Sequence, residues 1–333
     1  VDWFQRITGF RETSYAETRR RLFVAGEALH SRVNGRSFAV GRLDIASLQS
    51  LRDRAAAAGG PSGRLTVRSV RGDVRRMHQS PEFRGALFQV ASQFNLLEMM
   101  SPHVTPEAGV TGYQHDGTQG PACAMAAGAA TIYRNYFVPL PGGEGQTAER
   151  QVDCLAPLGA AMAEALGCPL EQLWTMRNGY ALATAEGLRR IGLWLGGLDP
   201  AATDALRGRL RIGLHQDVEV TDGEAQPPNL VSQAFCSALP VAYARHPSSL
   251  WQPFAELVLE AAYEATMWAG VLGARRGASN IVLLTRLGGG AFGNDAAWID
   301  AAMRRALDKV RGFDLDVHLV SFGAPEPRAC PVL

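Results

Sequence analysis

The sequence predicts a three-layer α/β/α fold, with helices on both faces of a mixed or largely parallel sheet. Three observations carry that expectation. Helical and strand patterns take turns through most of the chain, apolar strands run into glycine-rich turns, and no internal repeat, low-complexity tract or Pro/Ser linker divides it. With 333 residues, 47% hydrophobic and 20% charged, there is enough apolar material for one elaborated domain spanning 1–333.

Residues 1–63 read as a mainly helical extension. Charge is concentrated over 11–21, Asn34-Gly35 marks a loop, and LDIASLQSLRDRAAAA keeps a helical pattern up to Gly59-Gly60. RLTVRSV (64–70) alternates as a strand does, and ALFQVASQFN (86–95) reads as a buried strand stopping at a polar residue. Residues 101–121, rich in Gly, Pro and Thr, predict a long exposed loop, and the small residues of 122–133 suit a helix packed tightly on a sheet. After a turn at 139–145, the span 139–229 reads as an enlarged or inserted region. Its helical stretches (148–167, 184–195, 201–209) alternate with strand patterns near 174–182 and 211–220 and one beginning at 229. A strong helix (250–273), a leucine and β-branched strand (280–287), a glycine turn, a helix (296–310) and a last strand (315–322) complete the order.

Charge and cysteine usage narrow the function. Thirty-three basic against 32 acidic residues leave a net +1, so no global field attracts nucleic acid or anionic lipid. Only Lys309 is a lysine, an arginine bias that reads as coding composition. Five cysteines without CxxC spacing (Cys123, Cys154, Cys168, Cys236, Cys330) suggest neither a disulfide framework nor a zinc knuckle, and a reduced cytoplasm fits them. The opening VDWFQRITGF lacks the regions of a signal peptide, and no apolar run approaches the roughly 20 residues of a membrane span. The Val1 start reads as that of a trimmed chain. His103, His115, His215 and His246 show no paired metal spacing, and neither metal nor cofactor is expected.

Two loops carry the chemistry. In NIVLLTRLGGGAFGND (280–295) an apolar strand runs into four glycines around Phe292 and then a helix. Glycines let backbone N–H groups approach an anion, and a helix N-terminus adds a favourable dipole. The loop has neither GxGxxG spacing nor a P-loop Lys-Ser/Thr, so it reads as a diphosphate cradle of another kind or as a tight chain reversal. GVTGYQHDGTQGPACA (109–124) repeats the logic ahead of a small-residue helix. Asp116 there either orients a water or a ribose hydroxyl or closes an Asp-Gly turn. Asp295 either acts on substrate or caps the helix that follows. Glu260 and Glu264, at i and i+4, share one helical face, as substrate-arginine acceptors or as a solvated edge. Cys123 is read as a buried inert thiol.

These motifs together, Gly72-Asp73-Val74, a strand ending Asn95-Leu96-Leu97, a glycine loop into a helix and a strand into GGGAFGN, resemble the macrodomains, the α/β/α modules that bind ADP-ribose. The wording FQVASQFNLLE, TGYQHDGTQGPACAMAAGAATIYRNYF and LEAAYEATMWAG is similar to a divergent branch, the MavL-type arginine-specific ADP-ribosyl hydrolases. The resemblance implies a macrodomain-like mixed sheet with an N-terminal extension and insertions. It implies Asp73 at adenine and Asn95 at the distal ribose. The first phosphate loop would be 112–120, with Gly112, Tyr113, Thr118, Gln119 and Gly120. The second would be Gly288, Gly289, Gly290, Ala291, Phe292, Gly293 and Asn294. It further implies hydrolysis of ADP-ribose from arginine side chains of a modified protein, with Asp116 and Asp295 as the catalytic carboxylates; a non-catalytic reader of ADP-ribose is the alternative. Neither a nucleic-acid partner nor a membrane is implied, and the oligomeric state is open.

Overall fold

The structure, a computed structural model, describes residues 1–223, 225 and 227–322. Cys330 lies outside them. Seven strands form the central sheet: β1 (Arg42–Ser47), β2 (Thr66–Arg71), β3 (Leu87–Ala91), β4 (Arg211–Glu219), β5 (Leu230–Cys236), β6 (Ile281–Leu284) and β7 (Asp316–Ser321). Their spatial order is β1-β4-β5-β3-β6-β7-β2. β4 pairs antiparallel with both neighbours, while β5, β3, β6, β7 and β2 pair parallel in succession. Six strands therefore point one way and only β4 runs against them. The C-terminal ends of β2, β3, β5, β6 and β7 share one edge, where open α/β sheets place their ligands.

Sequence explains the central strands directly. β3 and β6 are apolar runs nearly buried throughout, as strands covered on both faces must be. One helical layer holds α1 (Leu48–Ala57), α2 (Ala185–Gly196), α3 (Pro200–Arg209), α4 (Ser248–Arg275) and α5 (Ala296–Lys309), with α4 packed against the other four. The opposite layer holds the helices Val74–Gln79, Gln119–Ala126 and Gly128–Tyr136. The three-layer α/β arrangement expected from the alternating pattern is thus present. Among the described residues no helix is long and apolar enough to cross a membrane.

The first 63 residues differ from the mainly helical expectation. Besides Trp3–Thr8, Tyr15–Arg21 and α1, they hold a three-stranded antiparallel sheet (Leu22–Ala25, Ala28–Ser31, Ser37–Ala39) and the edge strand β1. Strands of three to six residues are too short for alternation to show as a period. The helix read from residue 43 starts only at Leu48, because Ser47 caps it by accepting from the Ser50 N–H at 3.1 Å. Likewise 174–182 is a hairpin, Trp174–Arg177 with Tyr180–Ala183, turned by Asn178 (φ +47°) and Gly179 (φ +81°).

The extension has its own apolar cluster, in which Trp3, Phe4, Ile7 and Phe10 meet Leu97, Val110, Tyr113 and Ile132. Glu12 fastens it further. Its carboxylate accepts from the Val110 N–H (2.9 Å), the Thr111 N–H (2.7 Å) and the Tyr136 hydroxyl (2.7 Å). The segment carrying the first glycine loop is therefore braced by the N-terminal residues.

Candidate functional site

The loops leaving the shared sheet edge line two adjoining compartments that have five lining residues in common. The first, of about 200 Å³, is lined by Ser92, Gln93, Glu98 and Met100 after β3, by Ala238 after β5 and by Gly288, Gly290, Ala291 and Phe292 after β6. The second, of about 530 Å³, is lined by Asp73 after β2, by Phe88 and Leu283 in the sheet, and by Ser321 and Phe322 at the end of β7. Asp116, Thr118, Gln119, Thr285 and Arg286 line both and mark the junction. Alone, 200 Å³ is small for a nucleotide-sized ligand; joined, the compartments suit an elongated one.

Both glycine loops expected to bind an anion face this cleft. On one wall, Thr118 stands at the N-cap of the helix Gln119–Ala126, and Gly120 is in its first turn. A Cβ at residue 120 would overlap the Ala91 carbonyl oxygen and Glu98 Oε2, so only glycine permits this approach. Gln119 seals the edge of β3, accepting from the Ala91 N–H (2.9 Å) and donating to the Gln89 carbonyl (2.8 Å). On the other wall, Gly289 donates to Arg286 O, Gly293 to Gly290 O and Asn294 to Gly288 O, which shapes the loop and turns Gly290, Ala291 and Phe292 into the cleft. Arg286 precedes this loop, its guanidinium held by Asp300 Oδ1 (2.6 Å) and the Ala296 carbonyl. Arg286 lines the junction between a helix N-terminus and a glycine turn, with its charge shared with Asp300. An anion fits there.

Glu98 is the residue the sequence reading missed. It is 2% exposed, lines the first compartment, and its Oε1 is buried without a hydrogen-bond partner. Burial pushes its carboxyl well above the usual range; the Arg134 charge opposes the rise without cancelling it, and Asp116 adds to it. A carboxyl whose pKa is raised holds its proton to higher pH than usual. Its loop is rigidly framed. Gln93 grips the Met99 backbone through N–H to Oε1 (2.9 Å) and Nε2 to O (3.2 Å), and Glu98 N–H donates to the Tyr113 hydroxyl (2.9 Å). Arg134 Nε donates to the carbonyl of Leu96 (3.2 Å), a non-glycine residue held at φ +65°. Asp116 Oδ1 accepts from the Thr118 N–H at 2.9 Å, closing the Asp-Gly turn while the residue remains half-buried at the junction.

Other expected site residues are placed elsewhere. Asn95 is fully buried and structural: it donates to Gln151 Oε1 (2.9 Å) and accepts from the Leu97 N–H (3.1 Å), holding the turn before Glu98 instead of facing the cleft. Tyr113 lies beneath the loop, and Gly112, Gly289, Gly293 and Asn294 do not line the cleft. Asn294 is spent on the Leu239 carbonyl (2.8 Å). Asp73 does line the second compartment, while capping Val74–Gln79 through the Arg75 N–H (2.9 Å).

Asp295 is exposed, outside both compartments, and caps α5 by accepting from the Ala297 N–H at 2.7 Å. Asp295→Ala is therefore expected to cost about 1 kcal/mol of stability, as cap removal does. Turnover should stay within about twofold of wild type, since Asp295 lines neither compartment. Melting and rate measurements on that variant check both. Glu260 and Glu264 are not available to a substrate arginine, because internal arginines already occupy them. Glu260 pairs with Arg207 (2.6 Å), and the buried Glu264 pairs with Arg52 (2.7 Å) and Arg305.

Comparison with family models and with curated proteins finds no match. Among solved structures, the chain is similar to the poly(ADP-ribose) glycohydrolase of Deinococcus radiodurans in complex with ADP-ribose (15% identity over 97% of this chain and 95% of that one, TM-score 0.44). It is also similar to that of Thermomonospora curvata (14% identity, 96% and 94% covered, TM-score 0.42) and to the same enzyme bound to the inhibitor ADP-HPD (15% identity, 96% and 94% covered, TM-score 0.42).

Proposed function

We propose that the protein binds ADP-ribose and hydrolyses the N-glycosidic bond that joins it to an arginine side chain of a modified protein. One observation supports the reading: two adjoining pockets share Asp116, Thr118, Gln119, Thr285 and Arg286, with both glycine loops on the walls, and the smaller is lined by Glu98, a buried carboxyl whose pKa burial pushes well above the usual range. The diphosphate lies at the junction, between the helix start at Thr118–Gly120, the Gly290–Phe292 turn and Arg286. Adenosine occupies the larger compartment near Asp73, and the distal ribose the smaller one beside Glu98.

In that pose the C1″–N bond breaks with its electron pair passing to nitrogen, and Glu98 delivers its proton to the departing nitrogen. Water attaches through oxygen to C1″ and gives a proton to Asp116. Asp116 then passes its proton to solvent and solvent returns one to Glu98, so that one water is consumed per ADP-ribose released. Carboxylate charge also stabilises the oxocarbenium-like transition state. Two carboxyl groups with separate roles, Glu98 as proton donor and Asp116 as acceptor of the water's proton, are the pairing such hydrolysis uses.

The test is release of ADP-ribose from an arginine-modified protein, alongside calorimetry with free ADP-ribose. Binding without release would leave a reader of the modification. Gly290 makes the binding half separately checkable. Nothing lies within 4 Å of a Cβ built there, so Gly290→Leu should fold normally while its side chain fills the anion seat. ADP-ribose affinity is expected to fall at least about tenfold, with the melting temperature of the free protein unchanged. Undiminished affinity would remove that turn from the site.

A further inference from the structure

We infer that the mouth of the smaller compartment is an aromatic seat for a planar cation, the guanidinium of the arginine from which ADP-ribose departs. The inference rests on the proposed hydrolysis and specifies what the protein recognises beyond the nucleotide. Three rings meet at that end of the cleft: Tyr180 and Tyr243 with centroids 5.1 Å apart, Tyr180 and Phe292 at 5.3 Å, and Tyr243 and Phe292 at 5.5 Å. All three line the compartment. Tyr180 is buried, its hydroxyl donating to the Met99 carbonyl at 2.7 Å, so it serves as the fixed back wall.

Tyr243 is 37% exposed and Met100 55% exposed, which puts the opening of the compartment between an aromatic ring and a thioether. Exposed apolar side chains at a cleft mouth call for an occupant. Charge narrows its nature. Among the described lining residues of this compartment the carboxylic acids and bases are Glu98, Asp116 and Arg286, and the one cation, Arg286, lies with Asp116 at the junction with the other compartment. The mouth itself offers ring faces, while Asp116 and Arg286 lie back at the junction and Glu98 is buried behind it. A guanidinium gains by stacking on an aromatic face. A serine hydroxyl or an acidic side chain as leaving group would gain no such stacking.

The experiment measures binding in a Glu98→Gln background, which holds substrate uncleaved. An arginine-ADP-ribosylated peptide should bind at least about fivefold more tightly than free ADP-ribose, and a serine-ADP-ribosylated peptide should show no such gain. Adding Tyr243→Leu should erase the gain and leave the affinity for free ADP-ribose within twofold, whereas Tyr243→Phe, which keeps the ring, should preserve it. A gain that survives Tyr243→Leu, a gain equal for serine, or a loss in Tyr243→Phe as large as in Tyr243→Leu overturns the aromatic seat. Agmatine separates the two levels. Its saturation-transfer NMR signal with the wild-type protein should disappear in Tyr243→Leu, and absence of that signal in the wild type overturns the seat whether or not ADP-ribose binds. Failure of ADP-ribose itself to bind overturns the proposed function instead.

Discussion

Glu98→Gln is expected to lower the hydrolytic rate by at least about a hundredfold while ADP-ribose affinity stays within a few fold, the behaviour of a lost general acid. Glutamine keeps the volume and an acceptor next to Gly120 but has no acidic proton to give. The pH dependence has a definite sign. Since the acid form of Glu98 is the working one, the wild-type rate should fall as pH rises through its elevated pKa. Stability should move the same way. The folded state keeps the proton over a range in which the unfolded chain has released it, so folding becomes less favourable as pH rises from the ordinary carboxylate range to the raised value. Glu98→Gln removes that slope. Urea midpoints at several pH values, set beside single-turnover rates, check both statements. A variant that retains its rate, or a wild type whose rate climbs with pH, would exclude Glu98 as the acid.

How far the sequence reveals this site depends on the range over which each residue acts. The glycine loops are legible because close backbone approach and a following helix leave a local signature, and both loops do face one cleft. Arg286 had a readable signal, a cation with one residue between it and GGG. Glu98 had none: it sits in the apolar run NLLEMM, and what makes it special is burial by Tyr113, Gly120 and Arg134, residues brought in by folding. Asn95 shows the converse. The strand expected to close at Asn95 stops at Ala91, and Asn95 stands in the turn beyond it, its side chain consumed by Gln151 and the Leu97 amide, which no local pattern announces. Asp116 and Asp295 precede helices in similar wording, and only the placement of their loops puts the first at the cleft and the second on a cap. The short strands of residues 22–47 were hidden for a simpler reason, their length.

Glu264→Ala should destabilise the fold by about 3–5 kcal/mol, the cost of removing one partner from a buried charge group. The i, i+4 spacing of Glu260 and Glu264 does put them on one face, but that face is turned toward arginines from distant parts of the chain. Glu264, on α4, is 1% exposed; it accepts from Arg52 Nε of α1 (2.7 Å), from Arg305 of α5 and from the Trp268 indole N–H (3.1 Å). Asp204 of α3 in turn accepts from both Nη atoms of Arg52 (2.9 Å each) and from Arg305 Nη2 (2.8 Å). Four helices of one layer are thereby tied through a group whose arginines are largely shielded from water. Alanine at 264 leaves two guanidinium groups sharing one carboxylate. Glu260, partly exposed and paired only with Arg207, should cost under about 1 kcal/mol when replaced by alanine. Burial works against ionisation of Glu264, yet the hydrogen bonds from Arg52 and Arg305 outweigh it and hold the carboxyl below its usual range. Its contribution is therefore complete above the ordinary carboxylate pKa and is lost as pH falls through the depressed one, so the wild-type advantage over Glu264→Ala should shrink in acid. None of these residues lines the cleft, and ADP-ribose affinity of the folded variant should match wild type. Urea unfolding at neutral and acidic pH distinguishes this from a solvated edge: equal midpoints for wild type and Glu264→Ala at neutral pH would mean that the arginines find water as readily as they find the carboxylate.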